Sequence, residues 1–196
     1  MRIGLVLVLL ASALALGACD SSAASGSGGG QSMLVNDAGP GFAQKLDAAM
    51  NLDAASKATP ADAAATRSEL RDQGFSSGEE RVWTKGDEYV TVLDLGLSSS
   101  FAAATFVTFE EGQLRSSPSV VTYTDPRIPS SVAYTLNGQT RAGAHQTFCE
   151  GVWYSLGSAA YEVNDCASAP RYPDFVLNLA NKQFTQDGGR LVAPTP

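Results

Sequence analysis

The tightest constraint on the fold lies near the C-terminus, where two cysteines bracket a strand–turn–strand pattern. Gly157-Ser158 suits a two-residue type II′ turn with glycine first. Counting outward from that turn, Leu156 faces Ala159, Tyr154 faces Tyr161, Val152 faces Val163, and Cys149 faces Cys166 without adjustment. The pair beside the turn is hydrogen-bonded and pairs alternate outward, so the cysteines occupy a non-hydrogen-bonded position. There the Cα atoms approach to about 4.5 Å, a separation that a disulfide accepts. Closing a loop of this size contributes about 3 kcal/mol in the chain-entropy description. The same register puts Val152, Tyr154, Leu156, Tyr161 and Val163 on the face expected to meet the core, with Cys149, Trp153, Glu162 and Asn164 opposite. Trp153 on that more polar face calls for cover by another segment, since large aromatics are mostly buried.

The remaining cysteine has a different setting. Arg2 precedes an apolar run from Ile3 to Leu16, which leads through Gly17 and Ala18 into Cys19. The run is short for a membrane-spanning helix and ends at small residues that suit processing. Leu16-Gly17-Ala18-Cys19 resembles the lipobox of bacterial lipoproteins. That resemblance implies cleavage before Cys19, a diacylglycerol on its thiol and an acylated new amine; an ordinary secretory signal cleaved near Ala18 is the alternative. From Asp20 to about Gln31 the chain is Ser-, Ala- and Gly-rich, a flexible coil on the order of 20 Å in span. In an exported chain the even pair Cys149 and Cys166 reads as a disulfide. A metal pair fits less well, because His145 is the sole histidine and zinc wants four ligands.

These signals divide the chain into a lipoprotein signal peptide (1–18), a lipidated cysteine with its tether (19–35), a single extracytoplasmic domain (36–187) and a loose tail (188–196). Of 13 basic and 20 acidic residues, the signal removes one arginine, so the mature charge is 12 minus 20, or −8. Such a surface excludes nucleic acid as a partner and disfavours electrostatic attachment to anionic lipid, leaving the lipid at Cys19 as the expected membrane link.

Within the domain, Phe42, Leu46, Ala49 and Met50 fall at helical spacing. A second helix is predicted from Thr59-Pro60-Ala61-Asp62, with Thr59 as cap and Gly74 as stop. Runs 81–85 and 88–93 flank Gly86-Asp87 as a hairpin. Ser98 then caps a helix with Phe101 and Phe109, ending near Gly112. Val120 to Tyr123 reads as a short strand, Asn137-Gly138 as a type I′ hairpin turn, and Phe175 to Phe184 as a C-terminal helix. The hairpin–helix order around Trp83 is echoed around Trp153. The fold class is therefore α+β: a mainly antiparallel sheet built from hairpins, helices packed on one face, and one disulfide-clipped hairpin.

Phe148-Cys149-Glu150 to Asn164-Asp165-Cys166, the helix that follows, and the strand 89–93 feeding the Ala- and Phe-rich helix 101–109 carry a family likeness. Their order over roughly residues 75–187 is similar to the PknH-like extracellular sensor domain of actinobacterial receptor kinases and their stand-alone lipoproteins. Cys149 and Cys166 match one disulfide of that family, and its second has no counterpart here. The resemblance implies an extracytoplasmic sensing or ligand-binding module that signals through a partner.

Catalytic constellations are sparse. The one Gly-x-Ser-x-Gly match, Gly74-Phe75-Ser76-Ser77-Gly78, follows the predicted helix stop at Gly74 and so lacks the strand–turn–helix setting of a nucleophile elbow, and His145 reads better as an ordinary strand or loop histidine than as a base. Glu110-Glu111 are adjacent and point to different sides of their helix, which suits a solvated stretch better than paired-carboxylate chemistry. Gly28-Gly29-Gly30 lacks the context of a phosphate loop, and Asp62, Glu69 and Asp72 suit capping and exposure. The sequence thus predicts no catalytic, metal or cofactor residues, and a non-enzymatic domain that binds an envelope ligand or protein partner. The alternatives are a lipid or glycolipid carrier with an apolar cavity, and an envelope hydrolase.

Overall fold

The computed structural model describes residues 34–59, 62–139, 146–169 and 173–193. In chain order the elements are β1 (Ala43–Met50), α1 (Leu52–Ala58), α2 (Ala63–Asp72), β2 (Ser77–Lys85), β3 (Glu88–Gly96), α3 (Ser100–Ser116), β4 (Val120–Tyr123), β5 (Val132–Gln139), β6 (Gln146–Leu156), β7 (Ala159–Ala167) and α4 (Pro173–Gln186). The strands form one antiparallel sheet in the order β1-β2-β3-β7-β6-β5-β4.

The clipped hairpin adopts the register that its turn dictates. Leu156 pairs with Ala159, Tyr154 with Tyr161, Val152 with Val163 and Cys149 with Cys166. Gly157 takes a φ of 58°, as the first position of a type II′ turn requires. The cysteines are disulfide-bonded with Cα atoms 4.1 Å apart. Gly86-Asp87 likewise closes the β2–β3 hairpin, with Lys85 opposite Glu88.

The class, the antiparallel sheet and the clipped hairpin are as the sequence reads, but the helices divide between both faces. On the first face Val90, Val92, Val152, Tyr154 and Val163 pack under Val176, Leu179 and Phe184 of α4. On the second, Leu93, Leu95, Trp153 and Ala160 pack under Leu70 of α2 and Ala103 and Phe106 of α3. The central strands offer apolar side chains in both directions, so each face needs a cover. The division also explains the sequence echo. A two-fold relating antiparallel neighbours β3 and β7 would leave both following helices on one face, whereas α3 and α4 lie on opposite faces. The echo is thus convergent hairpin sequence.

Four local expectations are corrected. Residues 43–50 form strand β1, because β2 presents an edge whose backbone groups β1 satisfies, from Ala43 opposite Thr84 to Met50 opposite Gly78. A short helix, α1, follows under an Asn51 cap whose Oδ1 accepts from Ala54 N at 2.9 Å. The α2 cap is Asp62 rather than Thr59, its Oδ1 accepting from Ala64 N and Ala65 N. The helix ends as predicted, with Gly74 left-handed and Phe75 N donating to Leu70 O, a Schellman closure. α3 is capped by Ser99, whose Oγ accepts from Ala102 N, and runs through Gly112 because buried Leu114 anchors another turn. Asn137-Gly138 lies inside β5, opposite Phe148 and Thr147, so the ladder to β6 overrides the local turn preference. The connection after it lies outside the described residues.

The N-terminal segment is tied down. Leu34 and Val35 are wholly buried. Arg81 Nη1 donates to Leu34 O and Val35 O, both at 2.8 Å, and Val35 N donates to Gln183 Oε1 at 2.7 Å.

Candidate functional site

The second face of the sheet carries an unusual polar seam beneath the helices. Glu162 on β7 lies beside Trp153 of β6 on one flank and Leu93 of β3 on the other. The strand alternation that turns Val163 to the first face turns Glu162 inward under α2 and α3. It is wholly buried, as is Glu110 of α3. The sequence places Glu110 with Glu111 in a solvated stretch. One helical step, about 100° of rotation, separates their fates. Glu111 stays at the surface, paired with Arg115 at 2.5 Å, and Glu110 points into the protein.

Donors reach only part of this pair. Tyr134 of β5 donates its hydroxyl to Glu162 Oε1 at 2.6 Å, and Thr66 of α2 approaches Glu110 Oε1 at 3.5 Å. Among the described residues Glu110 Oε2, Glu162 Oε2 and Trp153 Nε1 have no hydrogen-bond partner. Burial, then the charge of Glu162, drives the Glu110 carboxyl well above the usual carboxylate range, against the hydrogen bond from Thr66. Burial also pushes Glu162 up to about 7, against hydrogen bonds from Tyr134 and Asn164. The arrangement can hold a proton.

Gly151 makes the seam possible. It faces Tyr134 across the β5–β6 ladder. A Cβ there would lie 2.5 Å from the Tyr134 hydroxyl oxygen, so only glycine lets the ring cross the strand to Glu162.

On the first face a second acidic group meets α4. Burial, then Asp187 and Glu79, raise Asp94 of β3 to about 6; burial raises Asp187 to about 6 against hydrogen bonds from Gln183 and Tyr154. Gln183 Nε2 donates to both Asp187 oxygens while its own oxygen holds Val35 N, which links the N-terminal segment to this cluster.

The surface offers two further features. An open depression of about 220 Å³ lies between the N-terminal segment and α4, bordered by Asp37, Phe175, Asn178 and Lys182. Phe101, at the start of α3, is 79% exposed. Beyond it Ala104 and Thr108 are exposed, and the Thr105 and Thr108 hydroxyls donate back to Phe101 O and Ala104 O. The outer face of α3 is consequently uncharged over its first turns.

Of the residues singled out from sequence, Cys149 and Cys166 are joined, and Trp153 is covered by Phe106, edge to face at 5.7 Å. Gly157-Ser158 is the hairpin turn. Cys19 and His145 lie outside the described residues. Among the described residues no group of three or more His, Cys, Asp or Glu side chains is placed to hold a metal ion. Nor is any helix there long and apolar enough to cross a membrane.

No protein-family model matches the sequence, and no curated protein matches it. In fold the chain is similar to the extracellular domain of PknH from Mycobacterium tuberculosis, known from a crystal structure. The TM-score is 0.57 at 11% sequence identity, covering 80% of this chain and 93% of that chain. At that identity the likeness is one of fold.

Proposed function

We propose that this chain is a lipid-anchored cell-envelope protein whose α+β domain binds a ligand or protein partner on the outer side of the membrane, without catalysing a reaction. The observation that carries the reading is the fold shared with an extracellular domain over most of the chain. The Cys149–Cys166 disulfide supports it, since such bonds persist in oxidising compartments. Phe101, exposed on an uncharged helix face, supports a contact surface. A carrier needs an apolar cavity between helices and sheet. Among the described residues that space is filled by Phe106, Trp153 and Leu95 on one face and by Tyr154, Val176 and Phe184 on the other.

The test is fractionation of cells producing the wild-type chain and Cys19→Ala, followed by protease treatment of intact cells. The reading expects wild type in the membrane fraction and open to external protease, with Cys19→Ala released. Retention of Cys19→Ala on membranes, or full protection of wild type, contradicts it.

A further inference from the structure

The Glu110–Glu162 seam has a consequence for how α3 is held. Two wholly buried carboxyls, Glu110 of the helical layer and Glu162 of the sheet, lie within range of each other's charge, each with an oxygen that has no partner among the described residues. A buried carboxylate oxygen without a donor is costly, and two facing carboxylates cost more through mutual repulsion. The groups acting on the pair come from every neighbouring layer. α2 contributes Thr66 and Glu69, β5 contributes Tyr134, β2 contributes Glu80, β7 contributes Asn164, and Tyr89 of β3 lies within range of Glu162. None of these is a cation, so a proton is the neutralising charge that they leave room for.

We propose that Glu110 and Glu162 form a proton-held clasp, which locks α3 and α2 onto the sheet while the pair is protonated and loosens them when both carboxyls ionise. The clasp does not depend on what the domain binds. It makes the exposed face of α3, with Phe101, the part of the surface that responds to external pH.

The sign follows from the raised carboxyls. A docked pair that holds its proton more tightly than the undocked pair favours docking at low pH and loses that advantage as pH rises. Glu162 alone, moving from about 7 when docked to its ordinary value when undocked, raises the open population on the order of twentyfold between about pH 5.5 and 8.

The experiment is amide hydrogen exchange on the 196-residue chain, corrected for the intrinsic pH dependence of exchange. It compares wild type, Glu110→Gln and Glu162→Gln, and follows the Glu110 and Glu162 carboxyl resonances of wild type by NMR. Asp94, Asp187 and Glu80 are also raised, so the decisive quantity is the difference between wild type and the glutamine variants. The clasp predicts that α3 and α2 lose at least tenfold protection across this interval in wild type, and that either glutamine flattens most of that loss. It also predicts that both carboxyls titrate above the ordinary range. Protection of α3 that ignores pH, glutamine variants that keep the wild-type dependence, or carboxyls that titrate in the ordinary range would each overturn it. If a variant does not fold, wild-type exchange and carboxyl titration decide the matter.

Discussion

Gly151→Ala puts the polar seam under the most direct mechanical test. The backbone of Gly151 is ordinary strand, outside the left-handed region, so alanine brings no torsional penalty. Its methyl group, however, would sit 2.5 Å from the Tyr134 hydroxyl oxygen and against the ring. Tyr134 is wholly buried and cannot swing aside without displacing the helices above. Forcing a methyl into such packing costs about 1–3 kcal/mol. Moving the ring also breaks the 2.6 Å bond to Glu162, and losing a hydrogen bond to a buried carboxyl adds about 1.5–3 kcal/mol. The sum is about 2.5–6 kcal/mol, a large share of an ordinary domain's stability. Tyr134→Val removes both the clash and the bond. In that background Gly151→Ala is expected to change stability by less than about 0.5 kcal/mol. Urea unfolding followed through buried Trp83 and Trp153 measures both. A cost below about 1 kcal/mol in wild type, or an equal cost in the Tyr134→Val background, refutes the reasoning.

Two other outcomes follow from the structure. Replacing both Cys149 and Cys166 by alanine removes a crosslink spanning 17 positions, which lowers stability by about 3 kcal/mol in the chain-entropy description; urea midpoints compared with the oxidised, disulfide-bonded wild type check it, and an unchanged midpoint contradicts it. On the first face, the Asp94 carboxyl titrates at about 6 and is held up partly by Asp187, so NMR titration of Asp187→Asn is expected to show Asp94 moving downward. An Asp94 that titrates identically in both chains removes that coupling.

What could be read in advance depended on how local the determining physics was. The β6–β7 register follows from a glycine turn and a pleat of period two, both of which act within twenty residues, and the disulfide falls out of it. β1 resisted because an edge strand buries little. Leu46 is largely exposed and Met50 is its only well-buried side chain, so helical spacing in 42–50 met no contrary local signal. Its structure comes from β2, more than twenty residues away. The two-faced sheet left a trace in the adjacent apolar pair Val92-Leu93, which breaks the alternation of a strand with one wet face. The seam left almost none. Glu110 and Glu162 are more than fifty positions apart, and nothing distinguishes buried Glu110 from exposed Glu111 until α3 is laid on the sheet. Gly151, in retrospect, was the available hint, since a glycine inside a strand marks a close approach by another group.

Where this domain is displayed is tested most directly by the intact mass of the chain recovered from cell membranes. The mass is expected to correspond to a chain beginning at Cys19, carrying a diacylglycerol, with Cys149 and Cys166 oxidised. A chain with an unmodified N-terminus, or one with both of those cysteines reduced, would contradict it.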